Sequence, residues 1–325
     1  MAVKKFGEPK FAPMKTDYSI LQAERQAEWE RENNFRAACP IFHLYSSPVE
    51  SQVIIANSFS RDISITYMGV AANESGVVVL AYAVMSNHFH FILRGSREKC
   101  QQFFVRFRYL LDLYLSRSEK ITHFKTAVSG LTEITGLKQL RNEVAYVLRN
   151  PYVARTDINP ILCEWTSAFL YFNPRLDIGG KAFGELTVRE KRALFKATSL
   201  VVPDDWRIID GHINPASFVD YRFVESMFVH ARQYVNTLLK NVEAQVEIAI
   251  SHNEAPVIPD EELLPKVLRQ CHDLFHQESP WFLQDYQKKQ LAREVRNRYH
   301  ASVSQLARQV GLPQKELQAM FPDTR

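Results

Sequence analysis

Cysteine is scarce in this chain. Its four residues, Cys39, Cys100, Cys163 and Cys271, stand far apart, and no CxxC pair exists. That spacing excludes a zinc ribbon and offers no disulfide framework. Isolated thiols fit a reducing compartment. The sequence also lacks an uninterrupted apolar run long enough to span a bilayer, so no membrane partner is expected. Met1-Ala2-Val3-Lys4-Lys5-Phe6 leads into charged sequence rather than an apolar segment, so no secretory signal is expected either. The reading is a soluble, cytoplasmic protein. Charge of one sign is not in large excess: the net charge is +4 and the pI near 8.8. Such a mildly basic balance suits a nucleic-acid partner without requiring one.

The 325 residues exceed the usual size of one domain, and 46% of them are hydrophobic, which is ample for a core. Periodicity predicts a charged helix over 18–35, a strand over 41–46, a helix within 50–72 and a buried strand over 76–85. After a Ser86-Asn87 turn come a strand over 88–94 and a helix over 97–117. A strand over 120–128 follows, then a helix from Leu137 to Arg149 that Asn150-Pro151 should stop. This order implies an α+β fold: an antiparallel sheet with helices on one face, followed by a mainly helical C-terminal region. Phe103, Phe104 and Phe107 fall at helical spacing and read as core rather than as a base-stacking platform. The expected divisions are 1–35 (arm and helix), 36–175, a helical extension over 176–261 and a helical block over 262–325. Within that last block, Ser304 to Pro313 resembles a helix-turn-helix.

Met85-Ser86-Asn87-His88-Phe89-His90-Phe91 carries the chemistry. Alternation along a strand points His88 and His90 to one face and Phe89 and Phe91 to the other. Two adjacent imidazoles are half of a divalent-metal site. Tyr146 and Asn150, at i and i+4, share a helix face. With that helix against the His88/His90 edge, a metal would take two imidazoles and the Asn150 amide oxygen, and Tyr146 would be a nucleophile. The mixed N/O donor set suits Mg²⁺ or Mn²⁺. Plainer roles exist for the same residues. Tyr146 could be a core tyrosine, and Asn150 before proline is also a helix stop. His43 is read as structural, with ligation or proton shuttling as the alternative. Arg106, Arg108, Arg141 and Arg149 are candidate phosphate contacts, Arg149 the best placed of them. Arg296, Arg298 and Arg308 belong to a basic block leading into the helix-turn-helix and read as DNA-binding.

The run Met85-x-Asn87-His88-Phe89-His90 resembles the HUH motif of single-tyrosine transposases. Tyr146-Val147-Leu148-Arg149-Asn150-Pro151 resembles the tyrosine helix of REP-associated tyrosine transposases, of the IS200-like type. Glu164-Trp165-Thr166-Ser167-Ala168 is similar to the Trp-Ser-Ser segment that follows in those proteins, with Thr166 where Ser is usual. The resemblance spans roughly residues 36 to 175. It implies a ferredoxin-like catalytic domain acting on single-stranded DNA, often beside a palindromic hairpin. It implies metal ligation by His88, His90 and Asn150, and a 5′-phosphotyrosine formed by Tyr146. It leaves monomer and homodimer both open. The rival readings are a non-catalytic DNA-binding regulator or domesticated relative, and an RNA-binding protein.

Overall fold

A computed structural model describes residues 18–46, 55, 57–86, 88–118, 129–154, 159–196, 200–240, 242–252 and 260–321. The charged helix α1 (Tyr18–Ala38) precedes strand β1 (Ile41–Ser46). Helix α2 (Ser58–Ser75) starts at an Asn57/Ser60 capping box, which satisfies two of its otherwise orphaned N–H groups. It ends at Gly76, whose φ of 65° is the left-handed conformation glycine adopts without strain. Strands β2 (Val78–Val84) and β3 (Phe89–Arg94) form the expected hairpin, and α3 (Arg97–Ser118) follows. The strand expected over 120–128 lies outside the described residues, and the fourth strand, β4, runs Ser129–Ile134.

These four strands form an antiparallel sheet in the order β2-β3-β1-β4. Alternation sends Phe42, Leu44, Phe89, Phe91 and Leu93 into a core shared with α2 and α3. There Phe89, Phe91, Phe103 and Phe107 pack edge-to-face at centroid distances of 5.0–5.3 Å, so the aromatic stripe is core, as expected. Ile41 and Ile92 point the other way, onto helix α4 (Leu137–Ala154). The sheet therefore carries helices on both faces, not one as expected. The cause is the apolar stripe Leu140, Val144, Val147 and Leu148 of α4, which covers the face that α2 and α3 leave open. Nor does Asn150-Pro151 stop α4, which continues to Ala154. So near a helix end, proline forfeits one backbone bond, and the burial of Pro151 outweighs it.

The Trp165–Ser167 segment closes the outer edge of β2. Val84 N–H donates to the Trp165 carbonyl at 2.8 Å, and Tyr82 N–H to Ser167 Oγ at 3.0 Å. The segment expected as a helical extension opens instead with short strands β5 (Lys181–Ala182), β6 (Arg207–Ile209) and β7 (His212–Ile213). Helix α5 (Val188–Phe195) lies between the first two. Phe183, Phe195, Ile213 and Phe218 join the α2/α3 core. Helices α6 (Tyr221–Ser226), α7 (Ala231–Lys240) and α8 (Val242–Ser251) then turn to the α4 side, where Tyr234, Leu238 and Ile248 are buried. The last block holds α9 (Asp260–Phe275), α10 (Asp285–Tyr299), α11 (Val303–Leu306, continued by a wider turn over Ala307–Gly311) and α12 (Gln314–Met320). Its core, around Leu263, Leu291, Val295, Leu306 and Leu317, also takes in Val246 of α8. Gly311, at φ 72°, makes the bend between α11 and α12, and a side chain there would collide with Trp281. No helix among the described residues is long and apolar enough to cross a membrane.

Candidate active site

The polar exception to the apolar α4 side of the sheet is a cluster of four histidines. His43 comes from the middle of β1, His90 from β3, His88 from just before β3, and His252 from the end of α8. His88 and His90 do share a face, with ring centroids 4.9 Å apart, while Phe89 and Phe91 stack on the opposite side. Register sets His90 across from Tyr45, so His43 and His90 are diagonal neighbours. Helix α4 supplies the facing groups: Glu143, Tyr146 and Asn150, at i, i+3 and i+7, fall on one side of the helix.

Tyr146 is 8% exposed, and its ring lies 5.7 Å from His90, 6.0 Å from His43 and 6.0 Å from His252. The structure thus brings the tyrosine of one motif against the histidines of the other. Asn150 follows one turn later and is partly exposed. Its amide nitrogen donates to the Tyr146 carbonyl at 3.0 Å, which leaves Oδ1 as the atom able to face a cation.

His43, read from sequence as structural, sits at the centre of the cluster and is fully buried. Its Nδ1 lies 2.7 Å from Glu143 Oε2 and its Nε2 lies 3.1 Å from His90 Nδ1. His252 packs edge-on to His43 at 4.3 Å, and Tyr45 stacks on His252 at 4.3 Å. Neither ring nitrogen of His252 has a hydrogen-bond partner among the described residues, although the residue is only 3% exposed. Unpaired nitrogens buried this deeply are costly unless something else binds them. His43, Glu143 and His252 each offer a ligand atom within 4.8 Å of the other two, so this cluster could hold a metal ion.

Burial shapes the electrostatics. It holds His88 down to about 4. It holds His252 down to about 3, helped by the neighbouring His43. Burial and the surrounding imidazoles push His90 well below the usual histidine range. For Glu143, burial acts upward, but the hydrogen bond and charge of His43 and the nearby His252 outweigh it and lower the pKa. At neutral pH His88, His90 and His252 are therefore neutral imidazoles near the Glu143 carboxylate, the protonation state metal ligation requires.

The arginines divide differently from the expectation. Arg149 is 2% exposed and packs against Tyr152, so its guanidinium is not presented to solvent. Arg141 forks onto Glu28 at 2.7 and 3.0 Å and pins α1 to α4. Arg106 pairs with Glu74. In the last block, Arg308 donates to Asp260 at 2.8 Å, and Arg296 donates to the Ala301 carbonyl at 3.2 Å while lying over Phe321. Arg298 is exposed. Glu143 and His252 were missed from sequence. Glu143 shares the helix face of Tyr146, a signal that was available; His252 gives no local signal.

No protein-family model matches the chain, and no curated protein matches it. Among solved structures, the chain is similar to a REP-associated tyrosine transposase bound to a REP hairpin. The likeness is distant: 10% identity and a TM-score of 0.32, over 53% of this chain and 93% of that chain.

Proposed function

We propose that this protein is a metal-dependent DNA strand transferase that cuts single-stranded DNA through a 5′-phosphotyrosine on Tyr146. The observation that carries this reading is the convergence of two motifs distant in sequence: Tyr146 lies buried 5.7 Å from His90 in a histidine cluster. On this reading residues 36–175 form the catalytic domain. The β1-α2-β2-β3-α3-β4 order with sheet order β2-β3-β1-β4 supports a ferredoxin-like core. The α11–α12 unit is the DNA-recognition element, suited to a hairpin or flanking duplex, and the work is done in the cytoplasm.

The residues divide the chemistry as follows. His88 and His90 ligate a divalent ion, Mg²⁺ or Mn²⁺, with Asn150 Oδ1 as third donor. When bound, such an ion polarises the scissile phosphate. Tyr146 Oη bonds to phosphorus as its proton passes to a neutral imidazole of the cluster. The P–O3′ bond breaks, and the 3′ oxygen leaves as a hydroxyl after taking up a proton. Transesterification keeps the phosphodiester's bond energy in the enzyme–DNA link, so a second 3′-OH can reverse it.

The test is a denaturing gel of protein with labelled single-stranded oligonucleotides from the DNA flanking its gene, in Mn²⁺ or Mg²⁺. A covalent band is expected that disappears in Tyr146→Phe and in EDTA. A band that survives Tyr146→Phe would remove Tyr146 from the chemistry. A second reading, a non-catalytic DNA-binding regulator, draws on the helical 260–321 block, whose core is distinct from those of the sheet. It would give tight binding with no band.

A further inference from the structure

We infer that Glu143 and His43 form a positioning relay that fixes the tautomer of His90 and so makes its Nε2 the ligand atom. The inference rests on the proposed metal-dependent reading, and neither Glu143 nor His43 belongs to the ligand set proposed there.

The argument is one of donors and acceptors. A carboxylate can only accept, so in the 2.7 Å contact His43 Nδ1 carries the proton and donates to Glu143 Oε2. In a neutral imidazole the other nitrogen is then an acceptor. With His43 neutral, its Nε2 accepts from His90 Nδ1 at 3.1 Å, and His90 Nδ1 then holds the His90 proton. His90 Nε2 is left with its lone pair, the form that binds a divalent ion. All three side chains are 0–2% exposed, so water does not compete for these bonds. Outer partners of this kind fix the tautomer and ring orientation of a ligating histidine.

The relay also joins two parts of the site. Glu143 stands one turn before Tyr146 on α4. The helix that presents the nucleophile therefore also sets which nitrogen His90 presents. A shift of α4 along its axis would disturb both at once.

The test uses the full-length protein. In metal-free protein labelled with ¹⁵N-histidine, long-range ¹H–¹⁵N spectra report the His90 tautomer, with His90→Gln giving the assignment. The expected result is a His90 protonated on Nδ1, lost or mixed in Glu143→Ala and kept in Glu143→Gln, which retains an acceptor oxygen. In calorimetric Mn²⁺ titrations, Glu143→Ala and His43→Ala should weaken binding about 10–100-fold, with Glu143→Gln close to wild type. Circular dichroism on each variant shows that it is folded, and Glu143→Gln keeps the test informative where Glu143→Ala is not. A His90 protonated on Nε2 overturns the relay, as does Mn²⁺ affinity unchanged in Glu143→Ala. Loss of Mn²⁺ binding in His252→Ala but not in His88→Ala also overturns it, because the ion would then sit among His43, Glu143 and His252. A wild-type protein that binds no Mn²⁺ and forms no covalent band would sink the proposed function instead, while the spectra still decide the tautomer.

Discussion

Tyr45 lies nearly parallel to His252, with ring centroids 4.3 Å apart and an interplanar angle of 22°. It reaches that position because its partner across β4 is Gly130, and any Cβ there would fall within the Tyr45 ring. One glycine in a sheet edge thus lets a strand tyrosine hold a histidine delivered by α8. Gly130→Val should displace Tyr45 and loosen His252. The expected cost is about 1–3 kcal/mol of stability, the usual range for overpacking. Urea unfolding with Gly130→Val and Tyr45→Phe checks it: the first should shift the midpoint clearly and the second little. Equal midpoints for Gly130→Val and wild type would show that the Tyr45–His252 stack does not depend on Gly130.

Arg149 offers a sharper contrast between sequence and structure. Beside Asn150 it looks like a phosphate contact, yet it is 2% exposed. A buried arginine contributes through its packed stem and its partners. Arg149→Ala should therefore cost about 2 kcal/mol in stability. DNA affinity, measured well below the unfolding temperature, should change less than threefold. A large loss of affinity at unchanged stability would restore the phosphate contact.

Acid should destabilise the protein through the same cluster. His88 is held at about 4 and His252 at about 3 by burial, while the unfolded chain titrates near the ordinary 6.5. Between these values the unfolded state binds protons that the folded state refuses, so stability falls as pH drops from about 6.5 toward the folded values. Glu143 acts in the same direction: its lowered pKa contributes stability above the ordinary 4.5 that is lost as pH falls through the folded value. Urea midpoints should be level from pH 7.5 to 8.5 and decline steadily below about 6.5, with a total loss on the order of a few kcal/mol by pH 4. A stability maximum near pH 5 would contradict this.

The parts of the site visible in the sequence are those written in local periodicity. Two-residue alternation placed His88 with His90 and Phe89 with Phe91, and i, i+4 spacing placed Tyr146 with Asn150. The central role of His43 needed the β1–β3 register, which no local pattern contains. Glu143 went unremarked in the sequence, because its burial depends on which sheet face α4 covers. His252 enters through the packing of α8 on α4. Strands β5 to β7, of two or three residues, are too short for alternation to register. The persistence of α4 through Pro151 likewise reflects tertiary burial overriding a local stop signal.

The last block holds one arginine in an ion pair, Arg308, and leaves another, Arg298, exposed. Arg308 and Gln305 both donate to the Asp260 carboxylate, at 2.8 and 3.0 Å, and tie the start of α9 to α11. The hydrogen bond from Arg308 is the largest effect on Asp260, outweighs its partial burial and holds its pKa down. Arg298, on the exposed side of α10, lies over Tyr299 at 5.7 Å. If α11–α12 docks on DNA, a basic side chain that contacts phosphate should set affinity regardless of sequence. Arg298→Ala is then expected to weaken binding uniformly across oligonucleotides and to reduce the slope of log affinity against log salt by about one. Arg308→Ala should instead lower stability by no more than about 1 kcal/mol, the range of exposed ion pairs, and leave the salt slope unchanged. Fluorescence anisotropy over a salt series distinguishes them. A slope that changes in Arg308→Ala and not in Arg298→Ala would put the DNA on the Asp260 side of the block, where binding must first break the Arg308–Asp260 pair.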